Sequence, residues 1–292
     1  MSNGIRVSVI MPCYNQGQYI DAAVTSVLAQ TFSAIEIIVI NDGSTDRATV
    51  QLLQTYEKPN LVVIHTDNRG PSAARNTGIE RAIGEYILPL DADDRIAPTF
   101  LAKAVSILDR DPQVGIVYSQ AELFGATVGR FDLPPYSFPE ILLGNMIFNT
   151  SLYRRCDWET VGGYNENMVW GWEDYDFWLS LLELGRTVVQ IPEVLYFHRE
   201  LPNSRSQQMT EAAWVKSHAQ IFRNHPQLYA DHIEVLFQEM QALRTDVMQT
   251  HARLAGIINT VQQSQFWKGR KVWGRVQRKL GRSIDMGDDL LN

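Results

Sequence analysis

The stretch Tyr86-Ile87-Leu88-Pro89-Leu90-Asp91-Ala92-Asp93-Asp94 joins a short apolar run to three carboxylates within four residues. The apolar run is typical of a buried strand. Carboxylates at the end of a buried strand are unfavourable unless a positive charge neutralises them. Because Mg²⁺ and Mn²⁺ bind one or two carboxylates together with phosphate oxygens, the stretch predicts a divalent-metal site for a phosphorylated substrate. The alternative is an acidic loop exposed to water.

Length, charge and cysteine content limit the class of protein. The 292 residues, 45% of them hydrophobic, are enough for one large domain or for one domain with an extension. The net charge of −7 argues against a nucleic-acid partner. Cys13 and Cys156 form no disulfide framework, which favours a reducing compartment. Since neither a signal peptide nor a transmembrane run is recognisable, we expect a cytoplasmic protein.

Strand and helix patterns alternate from residue 5 to about residue 118. This alternation predicts an α/β fold with a mixed, mostly parallel sheet flanked by helices. The predicted strands are 7–11, 35–40, 61–65, 86–90 and 115–118, and the predicted helices lie near 20–28, 72–83 and 100–108.

Polar clusters follow the first four predicted strands. In such sheets ligands bind outside the carboxyl ends of the strands, so the four clusters outline a pocket. Turn chemistry explains each cluster separately, but not the concentration of carboxylates after the fourth strand. The clusters are Pro12-Cys13-Tyr14-Asn15, Asn41 to Asp46, Asn68-Arg69-Gly70-Pro71 and Asp91 to Asp94.

The segment 119–205 is less regular. It contains Trp170-Gly171-Trp172-Glu173-Asp174 immediately before a helical pattern. Two short strands are predicted at 188–191 and 194–197, and the second ends at His198-Arg199.

From about residue 207 the pattern predicts helices and no strand. Apolar residues at 4-3 spacing over 233–261 predict a helix-packing seam, so we expect this segment to mediate a homodimer. Thr250 at a seam position and Gly256 nearby weaken the pattern. The segment 264–282 is basic and contains Trp267 and Trp273. It predicts a peripheral membrane helix at the inner face of the membrane, or else a solvated helix that packs its Trp residues on the domain.

Five motifs together resemble the family 2 glycosyltransferases of GT-A fold, and the resemblance covers about residues 5 to 200. It implies a nucleotide-sugar donor, Mn²⁺ or Mg²⁺ as cofactor and an inverting transfer. We therefore expect a GT-A domain at 1–205, with a nucleotide-binding half at 1–118 and an acceptor-binding half at 119–205, and a helical C-terminal extension at 206–292. The motifs are Val9 to Asn15, Asn41 to Asp46, Ala73-Ala74-Arg75-Asn76, Leu90 to Asp94 and Glu173-Asp174.

The expected nucleotide site includes Pro12, Tyr14 and Asn15, which flank the point where a base and ribose would lie. A carboxylate such as Asp42 can accept the N3–H of uracil, which favours a UDP-sugar or a thymidine-based donor. Its alternative role is that of a turn residue before Gly43. The residue Arg75 could bind the base or the phosphates, or could form a surface salt bridge.

The resemblance also assigns the Asp-x-Asp unit. In the family pattern the first carboxylate, here Asp91, lies near the ribose, and Asp93 holds the metal on the pyrophosphate, with Asp91 as a further candidate ligand. The resemblance suggests His198 as a third metal ligand and Arg199 as a phosphate partner. A lone histidine is more often structural. Asp94 is expected to assist or to cap the following segment.

Inverting transfer requires a base on the face opposite the leaving group. Asp174 is the predicted base, and Glu173 is predicted to bind acceptor or donor hydroxyls. The indole rings of Trp170 and Trp172 suit sugar rings. The alternative for the two acids is the first turn of a helix, where the dipole favours them.

The acceptor is expected to be a glycan or a lipid-linked sugar, by analogy with polysaccharide biosynthesis in the cell envelope. Since no Gln-x-x-Arg-Trp motif is present, a single addition is favoured over polymer synthesis. Two rival readings remain. One is a decayed transferase that only binds nucleotide or carbohydrate, and the other is an Asp-x-Asp phosphatase, in which the motif normally follows the first strand rather than the fourth. A dinucleotide-binding dehydrogenase is disfavoured because no Gly-x-Gly-x-x-Gly follows the first strand.

Overall fold

The computed structural model describes residues 4–202 and 209–263. The predicted membrane segment, 264–282, lies outside the described residues. The chain divides into two compact units after Ile233. The first helices after position 205 belong to the first compact unit, and the division into domains at that position stays a prediction.

The secondary structure alternates as the sequence predicts. The strands are β1 Val7–Cys13, β2 Ile35–Asp42, β3 Leu61–Thr66, β4 Tyr86–Pro89, β5 Arg95–Ile96, β6 Val114–Gly125, β7 Gly129–Phe131, β8 Leu152–Arg154 and β9 Thr187–Glu200. The helices are α1 Gly17–Leu28, α2 Arg47–Gln54, α3 Pro71–Arg81, α4 Phe100–Arg110, α5 Arg155–Val161, α6 Glu173–Glu183, α7 Glu211–Asn224, α8 Pro226–Asp231 and α9 Ile233–Gln263, with a 3₁₀ turn at Glu140–Leu143.

The sheet has the strand order β3-β2-β1-β4-β8-β6-β9-β5, and β7 pairs with β6. Strands β3, β2, β1 and β4 are parallel, and β8 joins them in antiparallel orientation. This arrangement confirms the mixed sheet of the prediction. The strands in its centre are mostly apolar because helices cover both faces. Met11 packs in the core that includes α1 and α4. On the opposite face, Gly78 of α3 lies so close to Ile10 and Ile40 that a Cβ there would stand 2.6–2.8 Å from their methyl groups.

Strand β9 explains why the sequence suggests two strands in this region. It is one strand that pairs with β6, and the register shifts where Ile191 opposes Ser119 and Val194 opposes Gln120. The irregularity contains Pro192, which cannot donate a ladder hydrogen bond. Strand β9 continues to Glu200, and β6 continues beyond the predicted end to Gly125.

The short strand β5 positions the end of β9. It follows directly on Asp94 and pairs antiparallel with β9, so that Arg95 opposes Phe197 and Ile96 opposes Tyr196. This pairing carries His198 and Arg199 to the end of β4, where the acidic stretch begins. Residues about 100 positions apart in sequence thus meet at one edge of the sheet.

The described part of the extension, 209–263, is helical, as the sequence predicts. None of the helices in the described ranges is both long enough and apolar enough to cross a membrane.

Candidate active site

The loops that follow β1 and β2 are fastened together by Asn15. Its side-chain carbonyl accepts hydrogen bonds from the backbone N–H groups of Thr45 and Asp46, each at 2.8 Å. Its own backbone N–H donates to Ser44 Oγ at 3.0 Å. Asn15 has a φ of 57°, in the left-handed region that asparagine tolerates better than most residues. The first two polar clusters therefore form one structure.

Asp42 ties the third loop to this structure. Its carboxylate is buried and accepts the backbone N–H groups of Arg69 at 2.9 Å and Gly70 at 3.0 Å. This geometry agrees with the turn role considered for Asp42 and leaves a nucleotide role as a proposal. Tyr14, beside it in the first loop, is half exposed, and Pro12 is partly buried.

Arg75 connects the two halves of the predicted site. Its side chain is only 4% exposed, and it donates to Asp91 Oδ1 at 3.0 Å and to Glu173 Oε1 at 2.9 Å. Burial lowers the pKa of Arg75, but Asp91 and Glu173 outweigh this effect and raise it, so the guanidinium stays charged. The surface salt bridge considered for Arg75 is therefore wrong, since the ion pair is buried and joins α3 to β4 and α6.

Two buried polar atoms beside Asp91 lack a hydrogen-bond partner among the described residues. They are Arg75 Nε and Asn149 Oδ1. The amide nitrogen of Asn149 donates to Asp91 Oδ1 at 3.3 Å, and the guanidinium of Arg75 donates to the same oxygen. The two unpartnered atoms thus belong to side chains that bind one carboxylate. Buried donors and acceptors normally find partners, so a polar ligand group would complete this corner.

Asp94 anchors the end of β9. It is completely buried and accepts hydrogen bonds from the Tyr196 hydroxyl and from the backbone N–H of Arg199, the latter at 2.7 Å. His198 Nδ1 lies 3.1 Å from the same carboxylate. The structure thus gives Asp94 a more specific task than the capping role expected from sequence. It aligns His198 and Arg199 beside the Asp-x-Asp unit.

The clustered carboxylates perturb one another. Burial, Asp94 and Asp91 together raise the pKa of Asp93 to about 7. Burial also raises the pKa of Asp91, against the opposing effect of Arg75. Burial would lower the pKa of His198, but the hydrogen bond to Asp94 and the surrounding carboxylates raise it to about 9. Burial is thus the largest cause for the two aspartates, and the carboxylates gathered at the end of β4 add to it and determine the shift of His198.

This excess charge fits a divalent cation. In residues 4–202 and 209–263 no three or more ligating side chains converge on one point. In proteins, Mg²⁺ and Mn²⁺ generally use few protein ligands and take the rest from phosphate and water. Asp93 and Asp91 are available for this purpose. Because His198 Nδ1 faces Asp94, only its Nε2 could bind a metal.

Arg199 is fixed in the same region. Its Nε donates to the backbone carbonyl of Asp93 at 2.9 Å. Its guanidinium lies over the rings of Tyr19 and Phe124, 4.6 and 4.3 Å from their centroids. A rigidly held cation beside the acidic stretch is suited to an anionic ligand.

Asp174 lies in the first turn of α6. The helix begins directly after Trp172, whose backbone φ of 69° is in the left-handed region. Asn145 Nδ2 donates to Asp174 Oδ2 at 3.2 Å. Burial and the charge of Glu173 raise the pKa of Asp174 to about 6, against the opposing effect of Arg75. A carboxylate with this pKa is ionised at neutral pH and still basic enough to accept a proton.

A buried network holds α6 in place, and nothing in the sequence predicts it. Asp176, completely buried, accepts hydrogen bonds from Asn165 and Asn224, both at 2.6 Å. His225 Nε2 lies 3.3 Å from Asp176, and His225 Nδ1 lies 3.0 Å from Glu183. Asn224 and His225 form the corner between α7 and α8, so this corner fixes the helix that begins with Glu173 and Asp174.

Helix α7 also contributes rings to the surface beside the two acids. The ring of His218 lies 4.9 Å from that of Trp172 and 3.8 Å from that of Trp214. Lys216 lies over the Trp170 ring at 4.1 Å. Trp170 is 47% exposed and Trp214 is 45% exposed. We call Trp170, Trp172, Trp214 and His218 the aromatic cluster. The sequence identifies two of its members but not the two on α7.

The family model described as "Glycosyl transferase family 2" matches residues 8–169, more than half of the chain. The chain belongs to glycosyl transferase family 2.

Curated relatives agree with this assignment. The putative teichuronic acid biosynthesis glycosyltransferase TuaG of Bacillus subtilis is 35% identical over 213 residues, 71% of this chain and 84% of that protein. The uncharacterized glycosyltransferase EpsJ of the same organism is 31% identical over 68% of this chain and 62% of its own length. The uncharacterized glycosyltransferase YibD of Escherichia coli is 44% identical over 101 residues, which span 34% of this chain and only 29% of its own length. The chain thus spans less than two thirds of two of these relatives.

Solved structures show the GT-A fold. TarS of S. aureus, in complex with UDP-GlcNAc, has a TM-score of 0.59 and 23% identity over 70% of this chain and 62% of that chain. The mannosyltransferase PcManGT of Pyrobaculum calidifontis, in complex with GDP-Man and Mn²⁺, has a TM-score of 0.57 and 21% identity over 91% of this chain and 83% of that chain. The predicted GT-A fold is therefore confirmed.

The buried Arg75 can be tested without any substrate. Arg75→Ala should lower the free energy of unfolding by about 3 kcal/mol, because it leaves the buried Glu173 and the partly buried Asp91 without their shared cation. Urea unfolding measures this difference. The control is Arg69→Ala, which removes the exposed pair with Glu166 and should cost less than about 1 kcal/mol. Equal effects for the two variants would contradict the central place of Arg75.

Proposed function

We propose that this family 2 member is an inverting glycosyltransferase that moves a sugar from a nucleotide-diphosphate donor to a hydroxyl of a glycan or a lipid-linked acceptor. The observation that carries the proposal is the contact of one buried guanidinium, that of Arg75, with both Asp91 and Glu173. It couples the carboxylate expected beside the donor to the acidic pair expected beside the acceptor. Complexes of the structural relatives with UDP-GlcNAc and GDP-Man support a nucleotide-sugar donor.

The proposed donor site lies in the loops after β1, β2 and β3. The ring of Tyr14, half exposed, is available to stack on a base, and Asn15 and Asp42 hold the loops around it. A carboxylate near the base favours uracil, so we propose a UDP-sugar. The orphaned atoms of Arg75 and Asn149 beside Asp91 support a ribose or phosphate group in that corner.

The proposed metal is Mn²⁺ or Mg²⁺, with Asp93 as its main protein ligand, one further ligand from Asp91 or from the Nε2 of His198, and the rest from phosphate and water. When bound, the cation would supply the positive charge that stabilises the diphosphate as it leaves. The guanidinium of Arg199 adds a fixed positive charge to the same place. The Mn²⁺ complex of the archaeal mannosyltransferase supports this choice.

The proposed base is Asp174. Its carboxylate accepts the proton of the acceptor hydroxyl as that oxygen attacks the anomeric carbon, and the proton then leaves to solvent. The amide of Asn145 orients the carboxylate. The neighbouring Glu173, beside Arg75, binds sugar hydroxyls.

The proposed acceptor surface is the aromatic cluster. Exposed indole faces beside a base suit the apolar C–H face of a pyranose, and Lys216 can donate to its hydroxyls. A basic 264–282 segment would hold the enzyme near a lipid-linked acceptor. That part of the proposal rests on composition alone.

Donor binding tests the metal assignment. Calorimetric titration with UDP, dTDP, GDP and CDP, each with Mn²⁺ and with chelator, should reveal metal-dependent binding of UDP. Asp93→Ala should lose the metal-dependent part of that affinity, because the cation then lacks its main protein ligand. The control Asp132→Ala removes an exposed carboxylate that is bonded to Arg130, and should bind as the wild type does. Wild-type UDP affinity in Asp93→Ala would show that the metal assignment is wrong.

The base assignment has a kinetic signature. Asp174→Asn should retain UDP binding and lower kcat roughly 100- to 10,000-fold. In the wild type, kcat should fall as the pH drops through about 6, since protonation of Asp174 removes the base. Glu166→Gln, an exposed substitution, is the control. Turnover retained in Asp174→Asn would move the base elsewhere, and UDP binding by the wild type without any transfer would favour a decayed transferase.

If the aromatic cluster binds the acceptor, its loss should change the KM for the acceptor and not the KM for the donor. Trp214→Ala should raise the acceptor KM roughly 3- to 10-fold through loss of ring stacking, and leave the donor KM unchanged. The steady-state rate with each substrate varied measures both constants. Phe222→Ala is the matched control, an exposed ring on the same helix that packs on Tyr229 instead. An unchanged acceptor KM in Trp214→Ala would remove α7 from the acceptor site.

A further inference from the structure

Helix α9 exposes a row of large apolar side chains along one face. Five of them are between 50% and 59% exposed, although residues of this type are usually buried. The five are Met240, Leu243, Val247, Leu254 and Ile257. A 31-residue helix with such a face gains most of its stability from a partner surface.

The spacing identifies the geometry of that surface. The five residues and the exposed Thr250 alternate at steps of three and four, which is the heptad pattern of a coiled coil. Met240, Val247 and Leu254 occupy the a positions, and Leu243, Thr250 and Ile257 occupy the d positions. The outer f positions carry Gln238, Thr245, Ala252 and Asn259, which include no large apolar side chain.

We propose that α9 forms a parallel, in-register, two-stranded coiled coil with α9 of a second copy of this chain. The charges beside the seam support this partner. In a parallel pair each g residue faces the e residue five positions later on the other copy. Glu239 then faces Arg244, and Asp246 faces His251. The third g residue, Arg253, faces the uncharged Ile258, so no like charges meet.

The alternative orientation is less favourable. In an antiparallel pair with the same central layer, g residues face g residues and e residues face e residues. Asp246 would then oppose its own copy and Arg244 would oppose His251, although Glu239 would face Arg253. This inference does not depend on the proposed enzymatic function.

The oligomeric state is the first test. Light scattering on the full chain at micromolar concentration should give twice the chain mass of 33.2 kDa. Met240→Glu combined with Leu254→Glu should give the monomer mass, because charge enters the seam. The control is Gln238→Glu combined with Thr245→Glu, which adds the same charge on the opposite face and should remain a dimer. Monomeric wild type, a trimer, or dissociation by the control pair would overturn the proposal.

Register and orientation have a second test. Glu239→Arg should raise the dimer dissociation constant roughly tenfold, since two symmetric pairs change from attractive to repulsive. Adding Arg244→Glu to this variant should return the dissociation constant to that of the wild type. Thr250→Cys, in a Cys156→Ser background that leaves only the buried Cys13, should oxidise to a disulfide-linked dimer, while Thr245→Cys should not. Failure of the charge reversal to restore the dimer, or equal cross-linking at both sites, would overturn the parallel register.

Discussion

The buried cation of Arg75 is the constraint on which the rest of the site depends. A guanidinium that is almost completely enclosed is tolerable only when carboxylates surround it, and those carboxylates are tolerable only because of the guanidinium. The arrangement fixes three elements at once, since α3 supplies the cation, and β4 and α6 supply the anions. Small shifts of any one of them would leave a charge unpaired. The donor and acceptor sides of the site are therefore positioned by one electrostatic unit.

A second set of electrostatic contacts, centred on Asp94, holds the end of β9 against the acidic stretch. Asp94 collects a hydroxyl, an imidazole and a backbone N–H from the end of β9. The pairing of β5 with β9 supplies the covalent and hydrogen-bonded frame for this contact. The Asp-x-Asp unit thus lies between two fixed guanidinium groups, since Arg75 binds Asp91 and Arg199 binds the backbone carbonyl of Asp93. A diphosphate with a cation would require fixed charges of both signs in one place.

The alternation of apolar runs was sufficient to predict the sheet, and the order of the polar clusters was sufficient to predict that they share an edge. Local patterns could not reveal the contact between Arg75 and Glu173, because these residues are 98 positions apart and belong to two separate motifs. The same applies to the hydrogen bonds of Asp94 with β9. The contribution of α7 was missed for another reason, since Trp214 and His218 look like ordinary helix-packing residues until Trp172 is placed beside them.

The contact of Asp176 with the α7–α8 corner affects how the protein can be divided. The family match ends at residue 169, four positions before α6 begins. The side chains that hold α6 come from Asn224 and His225. A fragment that ends with the family match lacks α6 altogether, and one that ends at residue 205 exposes the Asp176 carboxylate, which is otherwise enclosed and hydrogen-bonded. The smallest fragment that keeps the acidic pair in place therefore extends through α8. In this chain the family match ends earlier than the set of residues needed to hold the site together.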